Sequence, residues 1–339
     1  MPLSQALSPN PSRFFTTTIH ELRTPIQSII STTELLQQTK LDKEQAEYLR
    51  QLRFGSDVLL NLVNDILDLS KLISGQVATE IIFFSLSTLC EQVIDLICIE
   101  AHNKNIEIVT DIDYRLPTRI KGDPLRTQQV LLNLLKNAVK FTQNGYVHLG
   151  VYLDATKSKI LFEVSDSGIG VPKEKQEKLF DDFYQVDNTI TRKFGGTGLG
   201  LSISKGLIKL LGGEIGVKDN PSGGSIFWFT LPCLIENQVQ EEKPKIKLDP
   251  QTRILLVDDT ILSLETFTKK LHFLGFQNVH VATSGATALD MLKEAANNKD
   301  PYKIAFIDMI MPQMDGWRLS AEINSDENIN TTKLFLMVP

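Results

Sequence analysis

Residues 52–73 read LRFGSDVLLNLVNDILDLSKLI, and their apolar side chains recur at alternating spacings of three and four. The repeat runs through Leu52, Gly55, Leu59, Leu62, Ile66, Leu69 and Ile73. Such a heptad seam is typical of a helix that packs along another helix. A second stripe of Leu60, Val63 and Leu67 widens the apolar face of the predicted helix.

The preceding stretch has the same period, so residues 13 to about 74 predict a helical hairpin. Its apolar positions are Phe15, Ile19, Leu22, Ile26 and Ile29. One hairpin cannot cover so wide an apolar face, and two hairpins that pair into a four-helix bundle are the economical solution, which implies a homodimer. The alternative is an intramolecular hairpin that docks on the next domain.

The composition of the whole chain excludes several classes of protein. The length of 339 residues favours two or three domains. A net charge of -6 without a dense basic run argues against a nucleic-acid partner. The three cysteines and five histidines lack the spacing of a zinc site or a disulfide framework.

No stretch reaches the roughly 20 apolar residues that span a bilayer. We therefore expect no membrane contact from this segment, and a membrane or sensor region would have to lie in a longer parent chain. A cytoplasmic location follows, either as a free protein or as the cytoplasmic part of a membrane-anchored sensor.

Periodicity and polarity divide the chain into five parts. Residues 1–12 form a flexible N-terminus, and residues 13–76 form the hairpin. Residues 80–234 alternate helical and strand-like stretches, which predicts a mixed α+β domain. Residues 235–252 are polar, as a linker should be, and residues 253–339 predict a parallel doubly wound sheet.

Within these parts, apolar periodicity predicts individual elements. The predicted helices are Leu86–Ala101, Pro124–Thr142 and Leu199–Leu211. The predicted strands are Ile106–Ile112, Tyr146–Leu153, Ile160–Asp166, Ser225–Leu231, Ile254–Val257 and Ile304–Ile307.

His20 follows the seam position Ile19 directly, so it should lie at the rim of the apolar face and be open to solvent. A neutral imidazole there presents a lone pair that can act as a nucleophile. Glu21 can hold the other ring N–H and stabilise the cation that forms on attack. Thr24, one turn on, can position a water. Taken alone, such a histidine is more often a solvated helix residue.

A polar stripe of Gln129, Asn133, Asn137 and Lys140 occurs at helical spacing on an otherwise apolar helix. Oxygen ligands of modest charge suit Mg²⁺ that is held jointly with phosphates. The alternative is a solvated helix face, although asparagines are poor helix formers.

Two glycine-containing motifs follow. In residues 166–170 (DSGIG), Asp166 ends a strand and can accept from an amino group, while the glycines let a flat ring approach the backbone. Residues 195–201 (GGTGLGL) open a helix, whose free N–H groups favour phosphate. A dinucleotide-binding interpretation fails because no βαβ unit opens with this loop.

Asp258 and Asp259 end one strand of the last domain, and Asp308 ends another. Carboxylates that converge at strand C-termini make a Mg²⁺ site at the ligand-binding edge of such a sheet. The alternative is a pair of capping aspartates plus an unrelated third one.

These motifs carry a resemblance to known families. Residues 15–25 (FTTTIHELRTP) resemble the H-box of histidine kinases, and residues 64–71 (NDILDLSK) resemble the second helix of the same dimerisation and phosphoacceptor domain. The asparagine stripe, residues 166–170 and residues 195–201 resemble, in this order, the N, G1 and G2 boxes of the Bergerat ATP-binding fold. Residues 178–183 (KLFDDF) are similar to its F box.

The last domain carries a further resemblance. Residues 254–259 (ILLVDD) and 307–316 (IDMIMPQMDG) resemble the receiver domain of response regulators. The chain is thereby identified as a member of the hybrid sensor histidine kinases. The resemblance implies that His20 is autophosphorylated from ATP with Mg²⁺, with Glu21 and Thr24 as catalytic residues. The phosphoryl group would then pass to a receiver aspartate, which Asp308 matches here.

The resemblance also implies the partners and the binding residues. The partner would be a response regulator or a phosphotransfer protein, and phosphatase activity on a partner receiver is a further implication.

Residues 187–198 would form a mobile lid. The implied ATP-binding set is Asn133, Asn137, Lys140, Asp166, Gly168, Gly170, Arg192, Lys193, Gly196, Gly198, Leu199 and Gly200. Asn133 and Asn137 would also hold Mg²⁺. In the receiver, Asp258, Asp259, Asp308 and the carbonyl of Ile310 would hold Mg²⁺.

The sequence departs from the family pattern at several places. Thr18-Ile19 stands where Met-Ser is common, and Ile226 stands where Thr is common. Val338 stands where receivers place Thr or Ser to bind the acyl phosphate, and the fifth strand with its Lys is absent from this sequence. We therefore expect residues 253–339 to be poorly stable or packed against a partner, and phosphotransfer to Asp308 to be slow or absent.

Two other functions stay open from the residues. A signalling scaffold would use dimerisation and the receiver more than turnover, although the ATP motifs argue against it. An ATPase of the wider Bergerat family would lack the phosphohistidine, which the H-box disfavours.

Overall fold

The computed structural model describes the backbone of residues 11–154, 156, 158–185, 197–235 and 249–337, with side chains from residue 21 onward except residue 235. The expected flexible N-terminus up to residue 10 and the linker residues 236–248 lie outside this description. The chain forms two compact units, residues 1–108 with 116–236, and residues 109–115 with 237–339. None of the described helices combines the length and apolar character that a membrane crossing requires.

The first unit begins with the predicted helical hairpin. Helix α1 (Pro11–Gln37) continues through Pro25, and helix α2 (Lys43–Ile73) starts at a capping box. In that box the Asp42 side chain accepts from the Gln45 N–H, and the Gln45 side chain accepts from the Asp42 N–H. These bonds satisfy two of the free N–H groups that every helix start leaves without partners.

The two helices meet through one apolar stripe of each. The buried cluster between them consists of Ile26, Ile30, Val63 and Leu67, with Leu60 and Ile66 at its border. The stripe predicted to be secondary therefore makes the intrachain contact, while Leu52 and Leu59 of the heptad seam stay 54% and 50% exposed. A single partner helix covers only one side of so wide an apolar face.

The rest of the first unit is an α+β sandwich around a five-stranded sheet of order β2-β4-β5-β7-β6. Neighbouring strands from β4 to β6 in this order run antiparallel. Phe162 and Phe229, which are both fully buried, stack at 4.3 Å between ring centroids. The strands are β2 (Ile106–Ile112), β4 (Gly145–Leu153), β5 (Lys159–Asp166), β6 (Ile215–Asp219) and β7 (Ser225–Pro232).

Three longer helices accompany this sheet, namely α3 (Leu86–Asn103), α4 (Pro124–Phe141) and α6 (Gly200–Leu210). A short helix α5 (Lys173–Gln176) continues into a 3-10 turn at Glu177–Phe180. A second sheet of order β1-β3-β8 is built from the short strands β1 (Ile82–Ser85), β3 (Arg119–Gly122) and β8 (Leu234–Ile235). The sequence patterns did not predict these strands or β6.

The second unit contains a parallel sheet of order β10-β9-β11-β12. Ile254 and Leu256 belong to one buried cluster with α7, whereas Leu255 and Val257 belong to another with α8 and α9. Successive residues of β9 thus point to opposite helical layers, which confirms the doubly wound prediction. The elements are β9 (Ile254–Val257), α7 (Ile261–Phe273), β10 (Val279–Ala282), α8 (Gly285–Asn297), β11 (Ile304–Asp308), α9 (Gly316–Ser325) and β12 (Lys333–Met337).

Candidate functional site

Asp166 is a buried carboxyl at the C-terminal end of β5. The backbone N–H groups of Gly168 and Ser225 both donate to Oδ1, at 2.9 and 3.3 Å, so neither of them uses Oδ2. Burial raises the pKa of Asp166, and these two N–H donors partly oppose the increase. A carboxylate held in this way can accept a hydrogen bond from an exocyclic amino group.

The backbone next to Asp166 leaves no room for a side chain. A Cβ at Gly168 would lie 2.6 Å from the Phe141 carbonyl oxygen, and Gly170 adopts a φ of +72°. Both features require glycine. The end of β5 therefore presents a flat backbone surface beside the carboxyl, as a planar ring would need.

Asn133 of α4 lies directly against the first turn of α6. Its Nδ2 donates to Ser204 Oγ at 2.9 Å, and Ser204 in turn donates to the Gly200 carbonyl. A Cβ at Gly200 would lie 2.6 Å from Asn133 Oδ1, so only glycine permits this approach. The amide oxygen of Asn133 is thus brought to the start of α6, while Asn137 lies half-buried one turn further along α4.

Lys140 ends the polar stripe of α4 as a half-buried cation. Burial lowers its pKa, and the charge of Lys104 lowers it further while Glu100 opposes them. Its Nζ lies 5.0 Å from the centroid of the Phe141 ring. A partly desolvated ammonium of this kind interacts more strongly with an incoming phosphate than one in open water.

The described part of the glycine-rich loop consists of Thr197, Gly198 and Leu199. Gly198 has a φ of +74°, and the Leu199 N–H donates to Thr197 Oγ1 at 3.2 Å. Among the described residues, no side chain caps the first turn of α6. The Leu199 and Gly200 backbone thus opens a helix whose dipole favours an anion.

Helix α2 contacts this region through residues that the sequence patterns did not single out. Thr197 Oγ1 donates to Asp65 Oδ2 at 2.6 Å, and Gln129 Nε2 donates to Asp68 Oδ2 at 2.9 Å. Burial raises the pKa of Asp65, the Thr197 hydrogen bond opposes the increase, and the charge of Asp68 adds to it. One feature of the sequence could have indicated this contact, namely the two acidic residues Asp65 and Asp68, which lie three positions apart on an otherwise apolar helix.

The predicted phosphoacceptor His20 lies on α1 with the predicted catalytic residues Glu21 and Thr24. Glu21 and Thr24 are exposed to solvent, whereas the side chain of His20 lies outside the described residues, as do those of Phe15 and Ile19. Arg23 Nη2 donates to Asn64 Oδ1 at 2.9 Å, which fixes the register between α1 and α2 near His20.

The second unit brings three predicted carboxylates together. Oxygens of Asp258, Asp259 and Asp308 lie within 4.8 Å of one another, at the C-terminal ends of β9 and β11. Asp258 is buried and accepts from the Thr260 N–H at 2.8 Å. Ile310 lies two residues beyond β11 and is exposed.

Arg192, Lys193 and Gly196 of the expected lid lie outside the described residues, as does Val338 after β12.

Three family models match the chain. Residues 12–75 match the His Kinase A (phospho-acceptor) domain, and residues 122–235 match the histidine kinase-, DNA gyrase B-, and HSP90-like ATPase. Residues 254–337 match the response regulator receiver domain.

Several curated proteins are similar to this chain over most of its length. The hybrid signal transduction histidine kinase K of Dictyostelium discoideum is 36% identical over 334 residues, which cover 93% of this chain and 27% of that protein. The two-component system protein A of Emericella nidulans is 35% identical over 325 residues, which cover 90% and 47%. The sensor protein GacS of Pseudomonas syringae pv. syringae is 34% identical over 331 residues, which cover 97% and 36%. The chain thus spans between about a quarter and a half of the length of these relatives.

A solved structure extends the similarity to three dimensions. Full-length ShkA in complex with AMPPNP superposes with a TM-score of 0.74 at 28% identity, covering 96% of this chain and 64% of that one.

A phosphoacceptor hairpin, an ATPase domain of the Bergerat type and a receiver domain in one chain together define the hybrid histidine kinases of two-component signal transduction. This chain contains all three in order, and it belongs to the hybrid sensor histidine kinases. The resemblance that its motifs predicted is confirmed.

Proposed function

We propose that this chain is an ATP-dependent protein histidine kinase that phosphorylates its own His20. The observation that carries the proposal is the direct contact between the phosphoacceptor hairpin and the nucleotide-binding elements. Asp65 and Asp68 of α2 accept hydrogen bonds from Thr197 of the glycine-rich loop and from Gln129 of α4. The phosphate-binding loop and the hairpin therefore belong to one connected site.

The register of the hairpin supports the same conclusion. The Arg23–Asn64 hydrogen bond and the Arg53–Glu34 ion pair align α1 and α2 as antiparallel neighbours. His20 precedes Arg23 by three residues, so its backbone lies about one turn further along, near residues 67–68 of α2. The contacts of Asp65 and Asp68 thus hold the nucleotide-binding elements at the level of His20.

The binding groups fit a nucleoside triphosphate from end to end. Asp166 would accept from the adenine amino group, beside the flat backbone at Gly168. Lys140 and the N–H groups at the start of α6 would hold the phosphates. These contacts would orient the terminal phosphate for attack, which in phosphoryl transfer is most of the protein's contribution.

The donor set of α4 fits Mg²⁺. Asn133 donates through Nδ2 to Ser204, so its Oδ1 is the end left for a cation. Asn137, one turn on, offers a second amide oxygen, and such neutral oxygens suit Mg²⁺ that is shared with phosphates. When bound, Mg²⁺ would supply neutralisation of the phosphate charge.

In the proposed reaction, the lone pair of a neutral His20 ring nitrogen attacks the γ-phosphorus. The bond from phosphorus to the bridging oxygen breaks, and ADP leaves with that electron pair. The other ring N–H is then acidic, and the neighbouring carboxylate of Glu21 is the group that would hold or accept this proton. Thr24 would position a water when the reaction runs as dephosphorylation of a partner receiver.

The carboxylate cluster of the second unit is the proposed acceptor site. Asp308 would receive the phosphoryl group, and Asp258, Asp259 and the Ile310 carbonyl would hold Mg²⁺. Three carboxylate oxygens within 4.8 Å repel one another without a cation, which is the chemical argument for the metal. A response regulator or phosphotransfer protein would be the partner in trans.

Homodimerisation through the hairpin is the remaining part of the proposal. The seam leaves an exposed apolar groove along α1 and α2, and large exposed apolar stripes mark interfaces. A second hairpin would close this groove into a four-helix bundle. The groove is lined by Ile29, Tyr48, Gln51, Leu52, Gly55, Ser56 and Leu59.

Incubation with γ-labelled ATP and Mg²⁺ tests the central proposal. We expect label that is lost in acid and stable in base, and that is absent from His20→Gln. Asp166→Asn should also lose the label, but by losing nucleotide binding. Label that persists in His20→Gln would refute the proposal.

The same experiment separates the two alternatives. Nucleotide binding without label would favour a signalling scaffold. ADP release without label would favour an ATPase of the wider family.

A further inference from the structure

A chain of two hydrogen bonds links α2 to the start of α6. The Leu199 N–H donates to Thr197 Oγ1 at 3.2 Å, and Thr197 Oγ1 donates to Asp65 Oδ2 at 2.6 Å. One hydroxyl thus uses both its donor and its acceptor function at once. We refer to Asp65, Thr197 and Leu199 in this arrangement as the latch.

The latch uses a group that a phosphate would need. Leu199 is the N-cap residue directly before the first turn of α6, and its N–H donates to the Thr197 hydroxyl. The Asp65 carboxylate lies two hydrogen bonds away from this donor. A phosphate at the same place would have to displace the Thr197 oxygen and approach a like charge.

The latch is part of a continuous contact. Asp65, Asp68 and Leu72 recur at spacings of three and four, and therefore share one face of α2. Asp68 accepts from Gln129, which lies one turn before Asn133 on α4. A Cβ at Gly206 would lie 3.1 Å from Leu72 Cδ1, so α6 packs closely on the same face. This face holds both helices that flank the phosphate site.

From these contacts we propose that Asp65, acting through Thr197, competes with the nucleotide phosphates for the Leu199 N–H. The latch bonds Thr197 to α2 and occupies the Leu199 N–H, and a di- or triphosphate that binds this N–H opens the latch. Opening frees the Thr197 hydroxyl from Asp65 and loosens the hold of α2 on the catalytic domain. The inference rests on the proposed ATP-binding function, and it adds a regulatory contact to it.

Calorimetric titrations of ADP and of adenosine separate the phosphate end of the site from the adenine end. We expect Asp65→Ala and Thr197→Val to bind ADP about three- to tenfold tighter than the wild-type chain, the range that corresponds to one net hydrogen bond. Adenosine affinity should stay unchanged, because the adenine end does not touch the latch. The double variant should bind ADP no more tightly than the stronger single one, since both changes open the same contact.

The matched control is Asp57→Ala. Asp57 lies two turns before Asp65 on the same helix and pairs with Arg53 at 3.1 Å. Its loss should leave the affinity for both ligands unchanged. Asp65→Leu has a side chain of similar size without an acceptor and serves if Asp65→Ala does not fold.

Three results would overturn the proposal. In the first, the folded Asp65 and Thr197 variants bind ADP no more tightly than the wild-type chain. In the second, the affinity for adenosine rises as much as the affinity for ADP. In the third, the effects of the two changes on ADP affinity are additive in the double variant. Failure of the wild-type chain to bind either ligand would instead refute the proposed ATP-binding function, so the two failures are distinguishable.

Discussion

Asp166 combines a structural cost with a proposed binding role. Its carboxyl is buried, and burial raises its pKa despite the N–H donors from Gly168 and Ser225. A group whose pKa is raised in the folded state stabilises the fold only at low pH, and it loses that contribution as the pH rises through the folded value. At neutral pH the ionised Asp166 therefore costs stability.

Replacing Asp166 by Asn should raise the melting temperature while abolishing adenine binding. The Asn oxygen can keep both backbone N–H bonds, and the charge that burial penalises is removed. The remaining amide presents N–H donors towards the adenine amino group, so the ligand finds no acceptor. Thermal unfolding and adenosine titration measure the two effects, and an Asn variant that is less stable than wild type would contradict this account.

The affinity for adenosine should fall as the pH is lowered below neutral, and this fall should begin at a higher pH than an ordinary aspartate would give, because burial raises the pKa of Asp166. Protonation of Asp166 removes the carboxylate that accepts from the amino group, and its raised pKa moves this change to higher pH. Adenosine is the suitable ligand because it has no phosphate that titrates in this range. If the adenosine affinity of the wild-type chain did not change with pH, Asp166 would not be the group that accepts from the adenine amino group.

At the scale of elements, α2 presents three different faces. Val63 and Leu67 pack against α1, and Asp65 and Asp68 bond the catalytic domain. Leu59 and the rest of the seam stay exposed. A helix with apolar residues this widely spread needs several partners, and one hairpin supplies only part of them.

Leu59→Glu should convert a dimer of the wild-type chain into a monomer. The change places a charge in the middle of the exposed seam, where a second hairpin would bury it without a partner. Light scattering coupled to size-exclusion chromatography measures the mass. The matched control is Leu96→Glu, an exposed leucine on α3, which should leave the dimer intact. A Leu59→Glu chain that remains dimeric at the same concentration would exclude the seam as the interface.

At the scale of the whole molecule, one chain contains the proposed phosphoryl donor site in its first unit and a carboxylate cluster in its second. The first unit contains the apolar cluster of the hairpin, and the second unit contains the two clusters on either face of its parallel sheet. The proposed reaction therefore has two steps that can be measured one after the other, labelling of His20 and then transfer to Asp308.

Transfer from phosphorylated His20 to Asp308 should be slow, and Val338→Thr should accelerate it. A hydroxyl at this position can donate to an oxygen of the acyl phosphate, whereas the Val338 side chain has no donor. A time course that separates acid-labile from base-labile label follows the transfer, and Asp308→Asn should abolish the base-labile fraction. Rapid transfer in the unchanged chain would refute this prediction.

The local sequence pattern was sufficient to predict those elements and motifs that lie on one continuous stretch of the chain. The period-two alternation predicted β2 at Ile106–Ile112, where the structure places it. The apolar runs at residues 254 and 304 were sufficient for the doubly wound sheet, because each residue's face follows from its parity along the strand. Asp166 was predictable as a candidate because it ends such a strand next to two glycines.

Only the tertiary structure decided which surfaces meet. Apolar periodicity shows that α2 has a wide apolar face, but it carries no information about which stripe α1 covers. The short strands β1 and β3 are stabilised by pairing with each other, and the local sequence does not indicate which segments pair. Asp65 and Thr197 are 132 residues apart in sequence. A hydrogen bond between them depends on the packing of whole elements, and that packing is set by the summed burial of many side chains.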